Sequence, residues 1–224
     1  MTTFRRAHSP QQREVRRRAI LDAAAAMLGE MSVSEISLNE LSRRAGMAKS
    51  NVLRYFESRE AVLLELLSAQ MNAWIDQVAL ALDAVADPTS PATVRSQQLV
   101  DVLVTTLVDH PVLCDLMSEQ AAVLERNISG EAVLQHKHAS IAGIERLMEI
   151  VRRQLPELGA EGTVRFTTLA ALLTTAVWPH SNPPAALAAV YRENPELACY
   201  RVEFATTLRE SFQIMLTGLL ASPQ

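Results

Sequence analysis

Aromatic residues are scarce in this chain, only 4% of its 224 residues, although 49% of them are hydrophobic. A core short of rings must be filled by aliphatic side chains, which suits packed helices. Glycine is also rare, with seven copies, and leaves few positions for loops. The two cysteines, Cys114 and Cys199, supply neither a disulfide framework nor a metal-ligand set, and each is expected to act as a small buried hydrophobe. His136 and His138 flank Lys137, but side chains two apart diverge on a helix, so no metal site is expected. No apolar run of signal-peptide length opens the chain, and none reaches the roughly 18 uninterrupted apolar residues of a spanning helix. A soluble, cytoplasmic protein with no membrane partner is expected. A Gly-rich phosphate loop, a nucleophile elbow, a paired-histidine metal motif and a triad spacing are all missing too, so the expectation is no enzyme, no catalytic residue and no cofactor.

What is present is concentrated in residues 37 to 60, which read as two short helices joined by a glycine-containing turn. Ser37 is placed to cap the first, with Glu40 reaching back to the Ser37 amide, and Leu38 and Leu41 forming its apolar side. That helix is expected to stop at Arg44 or Ala45, because Gly46 tolerates the left-handed conformation of a sharp exit. The second starts near Ala48. Val52, Leu53 and Phe56 are its apolar residues, and Lys49, Ser50, Asn51, Arg54 and Tyr55 its donors and acceptors. Such a helix fits the major groove of DNA. Arginine forks onto guanine and asparagine onto adenine, which makes Arg54 and Asn51 the candidate base readers, whereas Lys49 and Tyr55 suit phosphates. Ser58 is placed to cap the following helix, whose free amides together with Arg59 would hold another phosphate. An ordinary helical hairpin with solvated polar residues is the other reading of the pattern.

Charge separates along the same line. Residues 1–60 hold 11 Lys and Arg against 7 Asp and Glu, a balance of +4, so the whole-chain −4 leaves −8 on residues 61–224. A basic end would meet DNA while the acidic remainder is turned away. Arg5, Arg6, Arg13, Arg16, Arg17 and Arg18 crowd the region ahead of the first helix, where an arm lies along phosphates or enters a minor groove; for Arg5 and Arg6 a solvated tail is the competing reading.

From about Arg18 to Leu66 the chain resembles the DNA-binding domain of the TetR family of bacterial transcriptional regulators. The likeness rests on Ile20-Leu21-Asp22-Ala23-Ala24, Ser37-Leu38-Asn39-Glu40-Leu41, Arg44-Ala45-Gly46-Met47 and Tyr55-Phe56-Glu57-Ser58-Arg59-Glu60-Ala61-Val62-Leu63. Three departures stand out. Leu53 occupies a position usually held by tyrosine, Ala48 one often held by serine, and Ser32-Val33 one where a glycine-aromatic turn is usual. The first two remove phosphate contacts, which Tyr55, Lys49 and the arm are expected to replace.

The fold class expected is all-α: an arm and three-helix helix-turn-helix domain over residues 1–60, and a larger helical ligand-binding and dimerisation domain over 61–224. Leu64, Leu67, Met71, Trp74, Val78, Ala81 and Val85 lay one stripe along a helix that ends before Pro88. Asp87 to Pro91 forms a break. Helices are expected near 93–109, 111–126, 130–155 and 161–178, then no regular helix across Pro179 to Pro184, a short helix near 185–193 and a last one over 197–221. Ala205, Leu208, Phe212, Met215 and Leu219 repeat at coiled-coil spacing, and Phe166, Leu169, Leu172, Leu173, Ala176 and Val177 form a second apolar surface. Pairing both with their symmetry mates would give a four-helix homodimer interface, as in similar proteins; burial within one protomer is the alternative.

The resemblance implies an effector cavity among the central helices. Trp74, Leu113, Met117, Ile144, Met148, Leu172 and Trp178 are its candidate walls, with plain core packing as the competing reading for each, and His110, Arg165 and Asn182 are candidate orienting groups. The function expected is a ligand-responsive regulator, a repressor that binds a palindromic double-stranded operator as a dimer and is released by a small apolar or amphipathic effector through a pendulum shift of the helix from Ser58 to Val85. One alternative is a regulator of the same fold without an effector, whose body docks a protein partner. A helical carrier with a vestigial hairpin is a third class, which the charge split disfavours.

Overall fold

A computed structural model describes residues 10–126 and 128–221, and among them ten α-helices and no strand occur. Arg5 and Arg6 lie outside the described residues. The first helix, α1 (Pro10–Leu28), starts well ahead of Ile20, so Arg13, Arg16, Arg17 and Arg18 are helical residues and not part of an arm. Its buried side, Ile20, Ala24 and Met27, packs on α2 (Leu38–Arg44) and on the base of α4 (Arg59–Val85). A single 3-10 turn, Val33–Glu35, replaces the glycine-aromatic turn. There the Ser32 amide donates to the Glu35 carboxylate (2.9 Å), closing the turn without glycine.

Ser37 caps α2 by accepting the Glu40 amide (3.2 Å). The Glu40 carboxylate does not return to Ser37. It accepts from Arg43 and Arg44 instead, which hold its pKa down at about 2, since two guanidinium donors outbid one neutral amide. At the end of α2 the chain turns at Gly46 (φ 64°). The Met47 amide reaches back to the Ser42 carbonyl (2.9 Å) and the Gly46 amide to Arg43 (3.1 Å), a pairing that satisfies the last free carbonyls of a helix and needs a left-handed residue.

The next helix, α3 (Lys49–Val52), is shorter than expected. Ala48 offers it no side-chain acceptor, and a four-residue helix gains little cooperative support. Leu53 to Tyr55 continue as tight turns, with the Arg54 amide on Asn51 and the Tyr55 amide on Val52. Val52 and Phe56 are buried; Leu53, expected on that apolar side, is exposed.

The body comprises α4 with α5 (Ala92–Val108), α6 (Pro111–Glu119), α7 (Gly130–Gln154), α8 (Gly159–Ser181), α9 (Ala185–Glu193) and α10 (Phe204–Ala221). A wide turn, Gln120–Leu124, follows α6 where regular helix was expected. Helix α8 runs through Pro179 to Ser181, further than the sequence suggested. A proline in the last turn deletes one bond only, and the Asn182 amide and side chain both return to the Trp178 carbonyl. The last helix starts later than expected, at Phe204, because the Glu203 carboxylate accepts the amides of Ala205 and Thr206 and fixes the terminus there. Cys114 is buried as anticipated; Cys199 is exposed. No described helix is long and apolar enough to cross a membrane.

The proposed seam is divided. Phe166, Val177, Leu208 and Phe212 are buried within the protomer, Phe166 meeting Phe212 edge-on at 5.9 Å. What α8 and α10 turn outward is Val164, Leu169, Leu172 and Ile214, the last 72% exposed.

The turn at Gly46 gives a direct stability test. A Cβ there would meet nothing within 4 Å, so Gly46→Ala should cost about 1–2 kcal/mol through left-handed strain alone, and Gly46→Asn less. Equal denaturation midpoints for the three chains would show that the turn relaxes to negative φ.

Candidate nucleic-acid interface and central cavity

With Val52 and Phe56 anchored in the core, the opposite side of α3 faces outward. Lys49, Ser50, Asn51 and Arg54 are exposed, and their side chains have no hydrogen-bond or ion-pair partner among the described residues. This is one contiguous surface of unspent donors. Tyr55 is half-buried and packs on the core, with its carbonyl accepting from Arg17 (3.1 Å). Ser58 caps α4 by accepting the Ala61 amide (3.1 Å). Arg59, expected to meet a phosphate, has internal partners in this structure. Its guanidinium donates to the Ile36 carbonyl (2.8 Å) and pairs with Glu60 (2.9 Å), so it ties the start of α4 to the loop before α2.

Other head arginines are similarly committed. Arg17 pairs with Glu65 on α4 and lies 4.4 Å over the Phe56 ring. Arg44 bridges Glu30 and Glu40, and Arg18 pairs with Asp22 on its own helix. The cations left for a polyanion in this region are therefore fewer than the sequence count implied.

Between α4, α5, α6, α7, α8 and α10 lies a cavity of about 230 Å³. Of the candidate wall residues, Trp74, Met117, Ile144 and Leu172 line it. Leu113 does not: it is fully buried in the core. Met148 is half-buried outside the lining. Trp178 is also elsewhere, held by its indole N–H on Asp115 (2.5 Å) and edge-on to Phe204. Sequence reading missed Met71, Ile75, Leu147, Phe166 and Phe212 on the wall, because an apolar residue at helical spacing looks the same whether it meets a neighbour or a void. Of the candidate orienting groups, His110 bonds the Thr106 carbonyl, Arg165 pairs with Glu161 and Asn182 caps α8; none lines the cavity.

The wall carries no ionisable residue. Its polar groups are largely spent: the Trp74 indole N–H donates to Thr106 (2.9 Å), Thr167 to the Thr163 carbonyl and Thr174 to the Ala170 carbonyl (both 2.8 Å). What this wall offers is shape and apolar contact.

A second, polar cleft of about 340 Å³ separates the head from α7. Arg17, Tyr55, Glu57 and Glu65 line one side, and Ser129, Glu131 and His136 the other. Across it the Ser129 amide donates to the Glu57 carboxylate (2.7 Å), which lowers the Glu57 pKa. His136 is only 6% exposed, with Ser68 and Gln120 about its two ring nitrogens.

A family model described as "Bacterial regulatory proteins, tetR family" matches residues 20–66, and one described as "Tetracyclin repressor-like, C-terminal domain" matches residues 68–223. The chain is 30% identical over 74 residues to the HTH-type transcriptional regulator BetI of Rhizobium meliloti (strain 1021), a match over 33% of this chain and 36% of that one. It is 25% identical over 134 residues to the HTH-type transcriptional regulator RutR of Escherichia coli (strain K12), covering 57% and 61%. The chain thus spans about a third to three-fifths of the length of these curated relatives. The fold is similar to the crystal structure of a TetR transcriptional regulator from Rhodococcus sp. RHA1, with a TM-score of 0.56, 16% identity and coverage of 96% of this chain and 98% of that one.

Burial lowers the His136 pKa below its usual value of 6.5, against the pull of Glu125, with Lys137 adding to the lowering. Below about pH 6.5 the unfolded chain binds a proton that the folded chain refuses, so stability should fall as the pH drops from there toward the folded pKa. Thermal midpoints at pH 7.5 and 5.5 should diverge more for the native chain than for His136→Gln; parallel slopes would remove His136 as the cause.

Proposed function

The chain belongs to the TetR family of bacterial transcriptional regulators, DNA-binding proteins with a helix-turn-helix, and from that premise we propose that it is a cytoplasmic repressor, a homodimer on a palindromic operator, released by a small apolar effector. The observation that carries this reading is the placement of α4. Near its start this helix buries Val62 and Leu63, beside its contact with α1, and about two to three turns later it lends Met71, Trp74 and Ile75 to the cavity wall. Anything that repositions the wall repositions the head.

On DNA, Arg54 and Asn51 read bases, while Lys49, Ser50, Tyr55 and the helix ends capped by Ser37 and Ser58 meet phosphates. The outward residues of α8 and α10, Val164, Leu169 and Ile214, supply the apolar surface for a second copy. A two-fold dimer sets two α3 surfaces into successive major grooves about one helical turn apart. The effector occupies the cavity between α4 and α8, and its uncharged walls favour an apolar or weakly amphipathic guest. Catalysis has no part in this function.

A guest changes DNA affinity only by binding two arrangements of the protein unequally. Here α4 moves with the cavity. The contact of α6 with the Val33–Glu35 turn and the Glu57 to Ser129 bond couple the body to the head at two further points. The two heads then lose their match to successive grooves, and the repressor leaves.

Two measurements test this function. Arg54→Ala should cost about 1–3 kcal/mol on the selected operator and relax preference at one position per half-site, whereas Lys49→Ala should weaken all sequences alike; equal losses on operator and random DNA for Arg54→Ala would remove it as a base reader. For the effector, screening apolar compounds by thermal shift and titrating a hit with and without operator should give the same coupling factor both ways, about 5- to 150-fold. A bound compound that leaves operator affinity unchanged is not an inducer. If no compound binds, a body that docks a protein becomes the better account.

A further inference from the structure

One residue on the DNA-facing surface is of the wrong chemical kind for phosphate contact and for hydrogen-bonded base readout. Leu53 is 43% exposed and stands among Lys49, Ser50, Asn51 and Arg54. Its backbone is fixed: it retains helical dihedrals (φ −64°, ψ −9°), and its amide donates to the Lys49 carbonyl (3.0 Å). Successive residues of a helix are about 100° apart. With Val52 pointing into the core, Leu53 and Asn51, the residues on either side of it, therefore emerge on opposite sides of the exposed surface. Leucine cannot bond a phosphate, and its isobutyl group projects as far as the short polar side chains beside it. The apolar feature on the floor of a major groove is the thymine C5 methyl.

We propose that Leu53 is a specificity-determining residue that reads a thymine methyl in each half-site, adjacent to the base contacted by Arg54. This rests on the operator-binding function proposed above and adds a base preference to it. The leucine excludes water from the thymine methyl, whereas cytosine at the same place would present an amino donor to a side chain with no acceptor, leaving a desolvated polar group unpaired. The surface thus combines a polar reader, Arg54, with an apolar one.

The experiment removes one methyl group from the DNA. An operator selected from a random duplex library by the full-length protein is resynthesised with dU in place of dT, one position at a time within a half-site. For the native protein, one thymine should matter, its loss weakening binding about fourfold, the factor that burial of one methyl-sized group supports. Leu53→Ala should bind the dT and dU duplexes equally, and a selection repeated with it should lose thymine at that position. Leu53 lies outside the core, so the variant's thermal midpoint should match that of the native chain. A native protein indifferent to every methyl, or a methyl effect of the same size in both proteins, overturns the inference. So does a Leu53→Ala chain that is uniformly weaker on all duplexes, which would assign Leu53 to sugar packing. Failure of the native protein to select any sequence would overturn the operator-binding function itself, an outcome distinct from a selected operator without methyl dependence.

Discussion

The arrangement depends on one helix that must satisfy two hydrophobic interiors. Residues Arg59 to Val85 form 27 residues of α4, about 40 Å of rod. Its first turns close the small core beneath the helix-turn-helix, and its middle supplies the floor of the cavity. Head and body are therefore not joined by a linker with its own freedom. Val62 and Trp74 sit on one unbroken ladder of backbone hydrogen bonds, so under the proposed function a shift at one would be felt at the other. Arg17 reinforces the junction from the other side, joining α1 to Glu65 of α4, to the Tyr55 carbonyl and to the Phe56 ring. The base of α4 is thereby fastened to the segment that presents Arg54.

Charge in the head follows a division of labour. Arg17, Arg44 and Arg59 each meet a carboxylate as well as holding a loop or helix in place, so their charges are largely neutralised at short range. Lys49 and Arg54 have no such partner among the described residues. Long-range attraction to a polyanion comes from the net excess, and local recognition from the few groups still free to bond. The acidic body, at −8 over residues 61–224, would repel the same polyanion.

Much of the architecture could be read from local chemistry. Ser37, Gly46 and Ser58 act through bonds spanning three to five residues, so cap and turn residues fixed the ends of α2 and the start of α4. Asp87 to Pro91 broke the chain for similar local reasons. Readings that depended on competition between partners failed. Glu40 had a plausible amide nearby, but two arginines on its own helix won. Arg59 looked free until folding brought the Ile36 carbonyl beneath it. Apolar periodicity identified α8 and α10 as packing helices but did not say which stripe meets the protomer and which faces out. Phe166 and Phe212 went inward because large rings bury the most area, leaving Leu169 and Ile214 outside. Cavity walls were the least legible, since a void is a property of several helices at once and has no sequence of its own.

The threonines of α8 illustrate how a helix can carry polar residues into an apolar interior. Thr167 and Thr174 return their hydroxyl hydrogens to carbonyls one turn back and leave their methyl groups to their neighbours. A chamber finished in this way has little means of demanding a particular functional group from its occupant. Under the proposed function it would sort molecules by volume and contour, and in such a site one methylene more or less changes affinity by only about 1–3 kcal/mol. Discrimination would then be graded among hydrocarbons that fit, so the specificity of a response would have to come from which compounds reach the chamber in quantity.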